Sequence, residues 1–204
     1  MNDFINLPGS MPEKLKGDEV TAKTQWTGSL YDSSYYYNPY MEKYRKEGNI
    51  KFPFFLTPDK HYVGAAWYQK EVNIPADWKG ERILLFLERP HIETTVWENG
   101  QKTGNQNRLW DPHQYDITRY VRPGKCTITI RVDNRIKEIN VGPDSHSITD
   151  QTQGNWNGIV GRICLQTTPK TYFDDFQIYQ EPELKQAHVK VFIIGTVTTK
   201  VKKS

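Results

Sequence analysis

From residue 61 onward the chain is written in short apolar runs, alternating or continuous, divided by turn signals, which is the pattern of β-strands. KHYVGAAWYQKEVNIP ends in an alternation of Val72 and Ile74 against Glu71 and Asn73, and Pro75 stops it. ERILLFLERP is apolar throughout its centre, as expected of a strand covered on both faces. In TTVWENGQKTG the Asn99-Gly100 pair supplies the positive φ angles of a tight hairpin turn and puts Val96 and Trp97 on one arm. RPGKCTITIRVDN alternates Cys126, Ile128, Ile130 and Val132 with Thr127, Thr129, Arg131 and Asp133 and predicts a half-buried strand. GIVGRICLQTT and YFDDFQIYQ complete the set. Trp67 and Trp97, lying on strands, are assigned to the core.

The first third is irregular. Within it NPYMEKYRKEG carries helix punctuation: Asn38 to cap, Pro39 in the first turn, Glu42 to pair with Lys46, and Gly48 to end it. The tyrosines of LYDSSYYYNPY are too dense for a solvated loop and must cover this domain's own sheet or a neighbouring domain. Between Asn134 and Gly158 no periodicity is visible, a long connection of the kind that carries function or is disordered. After Pro182 the strand pattern Val189, Val191, Ile193 has no evident partner left in the sequence. These patterns predict an all-β fold, an antiparallel jelly-roll β-sandwich of the galactose-binding-domain-like kind. The division expected is an irregular segment with a short helix over 1–60, the sandwich over 61–181, and an orphan strand over 182–204 that begins a missing second domain.

Composition narrows the class. With 27 basic and 24 acidic residues interspersed, the net charge of +3 gives no reason to expect a nucleic-acid or membrane partner; the basic tail from Lys200 to Lys203 reads as a solvated end. Aromatics make up 13% of the chain, which suits β structure and sugar-contacting surfaces, because their rings offer an apolar face and a polar edge. Cys126 and Cys164 sit in strand-like runs and read as free buried thiols. The amino terminus lacks the regions of a secretion signal, and compartment, periplasmic or cytoplasmic, stays open.

The search for chemistry returns little of its own. His61, His91, His113, His146 and His188 have no metal-site spacing, so no metal and no cofactor are expected. Neither a phosphate loop nor a GxSxG elbow is present. Glycoside hydrolysis needs two carboxyl groups about 5 to 10 Å apart, and no local motif marks such a pair. Asp174-Asp175 reads as a solvated turn, and Glu88 and Glu93 as partners of a sheet-margin ion pair around Arg89. The stretch DQTQGNWNGIVGR, at the end of the long connection, sets Trp156 among amides and glycines. It plugs the strand entrance or helps to read a polar ligand.

YVGAAWYQKEVNIPADW, the VWENG hairpin, YDITRYVRPGKCTITIRVDN and GNWNGIVGR, in that order, together resemble the amino-terminal sugar-binding domain of glycoside hydrolase family 2, which includes β-galactosidases and β-glucuronidases. The resemblance implies a jelly-roll domain followed by an immunoglobulin-like sandwich and a TIM barrel that holds both catalytic glutamates. No catalytic residue is then expected in this chain, which alone should be inactive. It would shape and partly line a pocket for a β-galactoside or β-glucuronide. The resemblance also implies that an aspartate before the Trp reaches the sugar. Asp150 is the nearest counterpart, with Gln153 and Asn155 offering amides that also bond hydroxyls, and Trp156 lining the pocket. The alternative reading is a self-standing carbohydrate-binding module.

Overall fold

The computed structural model describes residues 3–28, 32–137, 145–146 and 148–195. The basic tail and part of the long connection after Asn134 lie outside the described residues. The chain folds as a jelly-roll β-sandwich. Its strands are β1 (Gly9–Ser10), β2 (Asp18–Glu19), β3 (Lys60–His61), β4 (Ala65–Ile74), β5 (Arg82–Leu87), β6 (Glu93–Glu98), β7 (Gln101–Asn107), β8 (His113–Asp116), β9 (Gly124–Asp133), β10 (Gly158–Ile159), β11 (Ile163–Thr168), β12 (Tyr172–Glu181) and β13 (Gln186–Ile194). One layer is the four-stranded sheet β4-β9-β6-β7, and the other is the three-stranded sheet β11-β5-β8. All their pairings are antiparallel.

The core forms where the inward sets of the two layers meet. Cys126, Ile128, Ile130 and Val132 of β9 are buried on the period of two that their sequence prescribes, against Leu85 and Leu87 of β5. Strand β5 is buried at Ile83, Leu84 and Leu85 in succession, as its continuous apolar run requires. Asn99 and Gly100 take φ angles of 48° and 81°, so the expected hairpin turn joins β6 to β7. A polar bridge also crosses the core: the Thr94 hydroxyl of β6 lies 2.6 Å from both His113 Nδ1 and the Tyr115 hydroxyl of β8. Burial pushes the Tyr115 phenol up to about 12 and the His113 imidazole down, so both stay neutral and suit this bridge.

Several local expectations change. Trp67 is 60% exposed, because its side chain points out of β4 and lies against Trp97 on the outer face, ring centroids 4.9 Å apart. The strand expected to be an orphan has a partner: β13 folds back on β12 along its whole length. Asp174 and Asp175 stand in β12 at a register shift and not in a turn. Glu88 pairs with Arg162, and Glu93 with Arg131 and Lys137, across the sheet and not around Arg89. Cys164 is half-buried, whereas Cys126 is buried, and both thiols are free. The segment after Asn38 is a 3-10 helix over Pro39–Tyr44, preceded by one α-turn, α1 (Ser34–Tyr37). Its punctuation works as expected: the Asn38 side chain accepts from the Tyr40 amide, and Lys46 pairs with Glu42 at 3.2 Å. Of the tyrosines, Tyr35 is buried, while Tyr37 and Tyr40 are exposed.

Glu98, at the end of β6, is fully buried, and neither of its carboxylate oxygens has a hydrogen-bond partner. Burial alone raises its pKa to about 7. The folded state therefore holds a proton that the unfolded state releases at the ordinary carboxylate value, and the stability Glu98 contributes falls as pH rises from about 4.5 through about 7. Relative to the parent chain, Glu98→Gln is expected to gain roughly 3 kcal/mol across that window, measured by urea unfolding at a series of pH values. A difference that does not change with pH would refute the buried neutral carboxyl.

Candidate functional site

At one end of the sandwich the amino-terminal segment folds over the returning connection. Thr27, Leu56 and His61 reach Asp150 from three points of that segment. Asp150 is 1% exposed. A buried carboxylate is costly unless its lone pairs are used. Here Oδ2 accepts the Thr27 amide and Oδ1 the Asn155 amide, each at 2.6 Å. The backbone of Asp150 is used as well: its N–H donates to Thr27 O at 2.9 Å, and its carbonyl accepts from Leu56 N at 2.7 Å. His61 Nε2 stands 3.7 Å from Oδ2.

The following residues return the chain to the sheet. Asn155, 3% exposed, donates from its side chain to Thr27 Oγ1 at 3.0 Å and to Asn134 O at 3.1 Å, while its Oδ1 is buried without a partner. Asn157 is fully engaged. Its amide donates to Gly64 O and Val132 O, its Oδ1 accepts from the Tyr68 hydroxyl at 2.8 Å, and its carbonyl accepts from Met11 N. Gly158 is required by close approach: it sits at φ 144°, and a Cβ there would lie 2.8 Å from Ser10 Cα, where β10 pairs with β1. Between these anchors Trp156 is half-buried and stacks on His91, centroids 4.4 Å apart and planes 19° from parallel. Burial lowers the His91 pKa to about 4, against the opposing pull of the Asp150 charge. Trp156 thus rests on a neutral imidazole.

Asp150, Gln153, Asn155 and Trp156 all line one cleft of ≈ 350 Å³, together with Ser10, Pro12 and the irregular stretch 56–58. Gln153 is exposed, Trp156 offers part of its ring, and Asn155 is set deeper. The far wall comes from the amino-terminal segment, which no local motif linked to this loop, and His91 was likewise invisible because only the ring stack gives it a role. The lining includes one carboxylate, Asp150, whose two oxygens are held by backbone amides. Amides, a ring face and a hydrogen-bonded carboxylate are groups for recognising a hydroxyl-bearing polar ligand. Among the described residues no cluster of three or more His, Cys, Asp or Glu is placed to hold a metal ion.

Beside the cleft, Asp133 at the end of β9 is fully buried and pairs with Arg131, Arg135 and Lys137. Those hydrogen bonds and charges overcome the cost of burial and hold its carboxyl well below the ordinary range. The cluster fixes the start of the long connection, since Asn134 next to it bonds both Gly64 and Tyr62.

A family model described as glycosyl hydrolases family 2, sugar binding domain, matches residues 15–169. Human β-glucuronidase is 28% identical over 141 residues, which cover 58% of this chain and 22% of that protein. The β-galactosidase of Thermoanaerobacter pseudethanolicus is 23% identical over 154 residues, covering 74% of this chain and 20% of that protein. Among solved structures, β-glucuronidase of Ruminococcus gnavus superposes with a TM-score of 0.56 at 20% identity, covering 70% of this chain and 27% of that one. The β-glucuronidase of Faecalibacterium prausnitzii gives 0.51 at 24% identity, covering 66% and 27%. These two likenesses show the fold. The chain spans about a fifth of the length of the curated relatives it matches.

Removing the Asp150 carboxylate leaves two buried backbone amides without acceptors. Asp150→Ala is expected to lower unfolding stability by about 2 to 4 kcal/mol, and Asp150→Asn by less because one carbonyl acceptor remains. Urea denaturation checks this; a loss below about 0.5 kcal/mol for the alanine variant would remove Asp150 from its bracing role.

Proposed function

The chain belongs to the glycosyl hydrolases family 2 sugar binding domains, and from that membership and the geometry of the cleft we propose that it is the amino-terminal domain of a family 2 β-glycosidase, lining part of a saccharide pocket without supplying the catalytic pair. The observation that carries this reading is the convergence of Asp150, Gln153, Asn155 and Trp156 on one cleft. A pyranose presents hydroxyls at its rim and C–H groups on its face. Gln153 and Asn155 match the first, and the exposed part of the Trp156 ring matches the second. Asp150 acts here by holding Asn155 and the amino-terminal wall in place, since its oxygens already accept two amides.

The catalytic carboxylates belong to another part of a longer enzyme. Hydrolysis of a glycosidic bond needs a free acid and a free base or nucleophile, and the carboxylate in this cleft is neither. The names of the relatives point to β-glucuronides or β-galactosides as the substrate class of that enzyme. Its further domains would be the immunoglobulin-like sandwich and the TIM barrel of the family.

The proposed division keeps residues 1–60 as a segment packed on the sandwich, 61–181 as the sandwich, and 182–204 as the entry to a second unit. The β12–β13 ribbon argues for moving that last boundary back to the start of β12, since β12 pairs with β13 and with neither layer of the sandwich. Phe173, Phe176 and Ile178 pair across it with Ile193, Val191 and Val189, and all six are exposed. A two-stranded ribbon is marginal alone, so this apolar face suits packing against the unit that follows.

The 204-residue chain is expected to show no turnover of 4-nitrophenyl β-D-glucuronide or β-D-galactoside. It should bind D-glucuronate more weakly than about 1 mM, because much of the contact area would come from other domains. Nuclear magnetic resonance titration should move the Trp156 indole signal and the Gln153 and Asn155 side-chain amides. Hydrolysis abolished by one carboxylate substitution, or shifts confined to another surface, would overturn the reading.

A further inference from the structure

Trp156 lines the saccharide cleft from a stretch without regular structure, so packing decides which way its ring turns. The flanking bonds fix only where the side chain starts. The Asn155 N–H donates to Asp150 Oδ1 and the Asn157 carbonyl accepts from Met11 N, which anchors the backbone on both sides and leaves the indole torsions open. The contact that turns the ring is the stack on His91, with centroids 4.4 Å apart and planes 19° from parallel.

His91 stands on a rigid support. It lies in the connection between β5 and β6, and that connection is stitched to the chain that follows Trp156. Glu88 N donates to Arg162 O and Val160 N to Arg89 O, each at 2.9 Å, Pro90 bridges Ile159, and His91 N donates to Gly158 O at 3.3 Å. On the other side Ile92 N donates to Asp133 O at the end of β9. The imidazole is buried beneath Trp156 and is not one of the groups that line the cleft. Its Nε2 has no partner among the described residues, so what the ring supplies there is a flat face. With a pKa lowered to about 4 it is neutral at neutral pH, and the stack is ring on ring with no cation in it.

We propose that His91 is the positioning residue of the saccharide cleft: without touching the sugar, its ring holds Trp156 in the orientation that offers the free side of the indole to a pyranose face. A ring pair of this kind favours one side-chain orientation over its alternatives by a factor of about 2 to 10. A ligand that needs that orientation gains the same factor, because it does not have to impose it. The use of the held ring in binding depends on the saccharide reading proposed above.

The test uses the 204-residue chain and D-glucuronate. His91→Phe keeps a flat ring, whereas His91→Leu fills the space without one. Affinity is read by nuclear magnetic resonance from the D-glucuronate concentration that shifts the exposed Gln153 side-chain amide. Order of the Trp156 indole is read without sugar from the heteronuclear Overhauser effect of its N–H, identified by its loss in Trp156→Phe. His91→Leu is expected to weaken D-glucuronate by a factor of about 2 to 10 and to loosen the indole, while His91→Phe keeps both as in the parent. If His91→Leu does not fold, His91→Ala takes its place with the same expectation. A His91→Leu chain that loses stability in urea but keeps parental affinity and indole order overturns the proposal, as does a His91→Phe chain that loses as much as His91→Leu. If D-glucuronate moves no signal in the parent chain, the saccharide reading fails. The hold of His91 on Trp156 then still stands if the indole loosens in His91→Leu and not in His91→Phe, and falls if it does not.

Discussion

The described architecture of the site depends on a buried carboxylate. Asp150 lies 123 positions along the chain from Thr27, and its two oxygens accept backbone amides on both sides of the cleft. The desolvation of that charge is offset only while both amides, and the fold that presents them, stay in place. The amino-terminal segment needs such a clasp. Its own strands are two residues long, and its helical elements are single turns or 3-10 segments. Hydrogen bonds to Asp150 and Asn157 hold it on the sandwich, and the Trp26–Phe52 ring contact ties it to itself.

The two ends of the molecule spend their buried polar groups differently. At the site end Asn157 and Asn134 hold the carbonyls that the sheet edges leave over and Asp133 is neutralised by three cations, while Asn155 Oδ1 and His91 Nε2 are buried without partners. At the hairpin end Glu98 sits among apolar neighbours as a carboxyl raised to about 7, while His91 beneath Trp156 is lowered to about 4. Between these two values the groups respond to pH in opposite senses, since the folded state binds a proton at Glu98 and refuses one at His91. Each would partly mask the other in a single stability curve.

Membership in the family and the form of the cleft point the same way, toward recognition. Half-exposed tryptophan, side-chain amides and a braced carboxylate bind hydroxyls and ring faces without moving protons. The cleft is made by irregular chain laid on the sandwich, the usual division in which the sheet supplies position and the loops supply contacts.

The sequence by itself determined the sandwich. The two-residue period of β9, the unbroken apolar run of β5 and the Asn99-Gly100 turn are local patterns, and each fixes its strand before any long-range contact is known. It also brought Asp150, Gln153, Asn155 and Trp156 into view as one group, because they are close in the chain. Tertiary structure alone decided what those residues do. That the Asp150 carboxylate is consumed by Thr27 and Asn155, and that Trp156 lies on His91, are contacts between distant segments with no local signature. The same holds for Trp67, sent outward by the pleat of β4, and for β13, whose partner β12 was counted as part of the sandwich. Periodicity says that a strand has two faces; only packing says which face meets the core and which neighbour it finds.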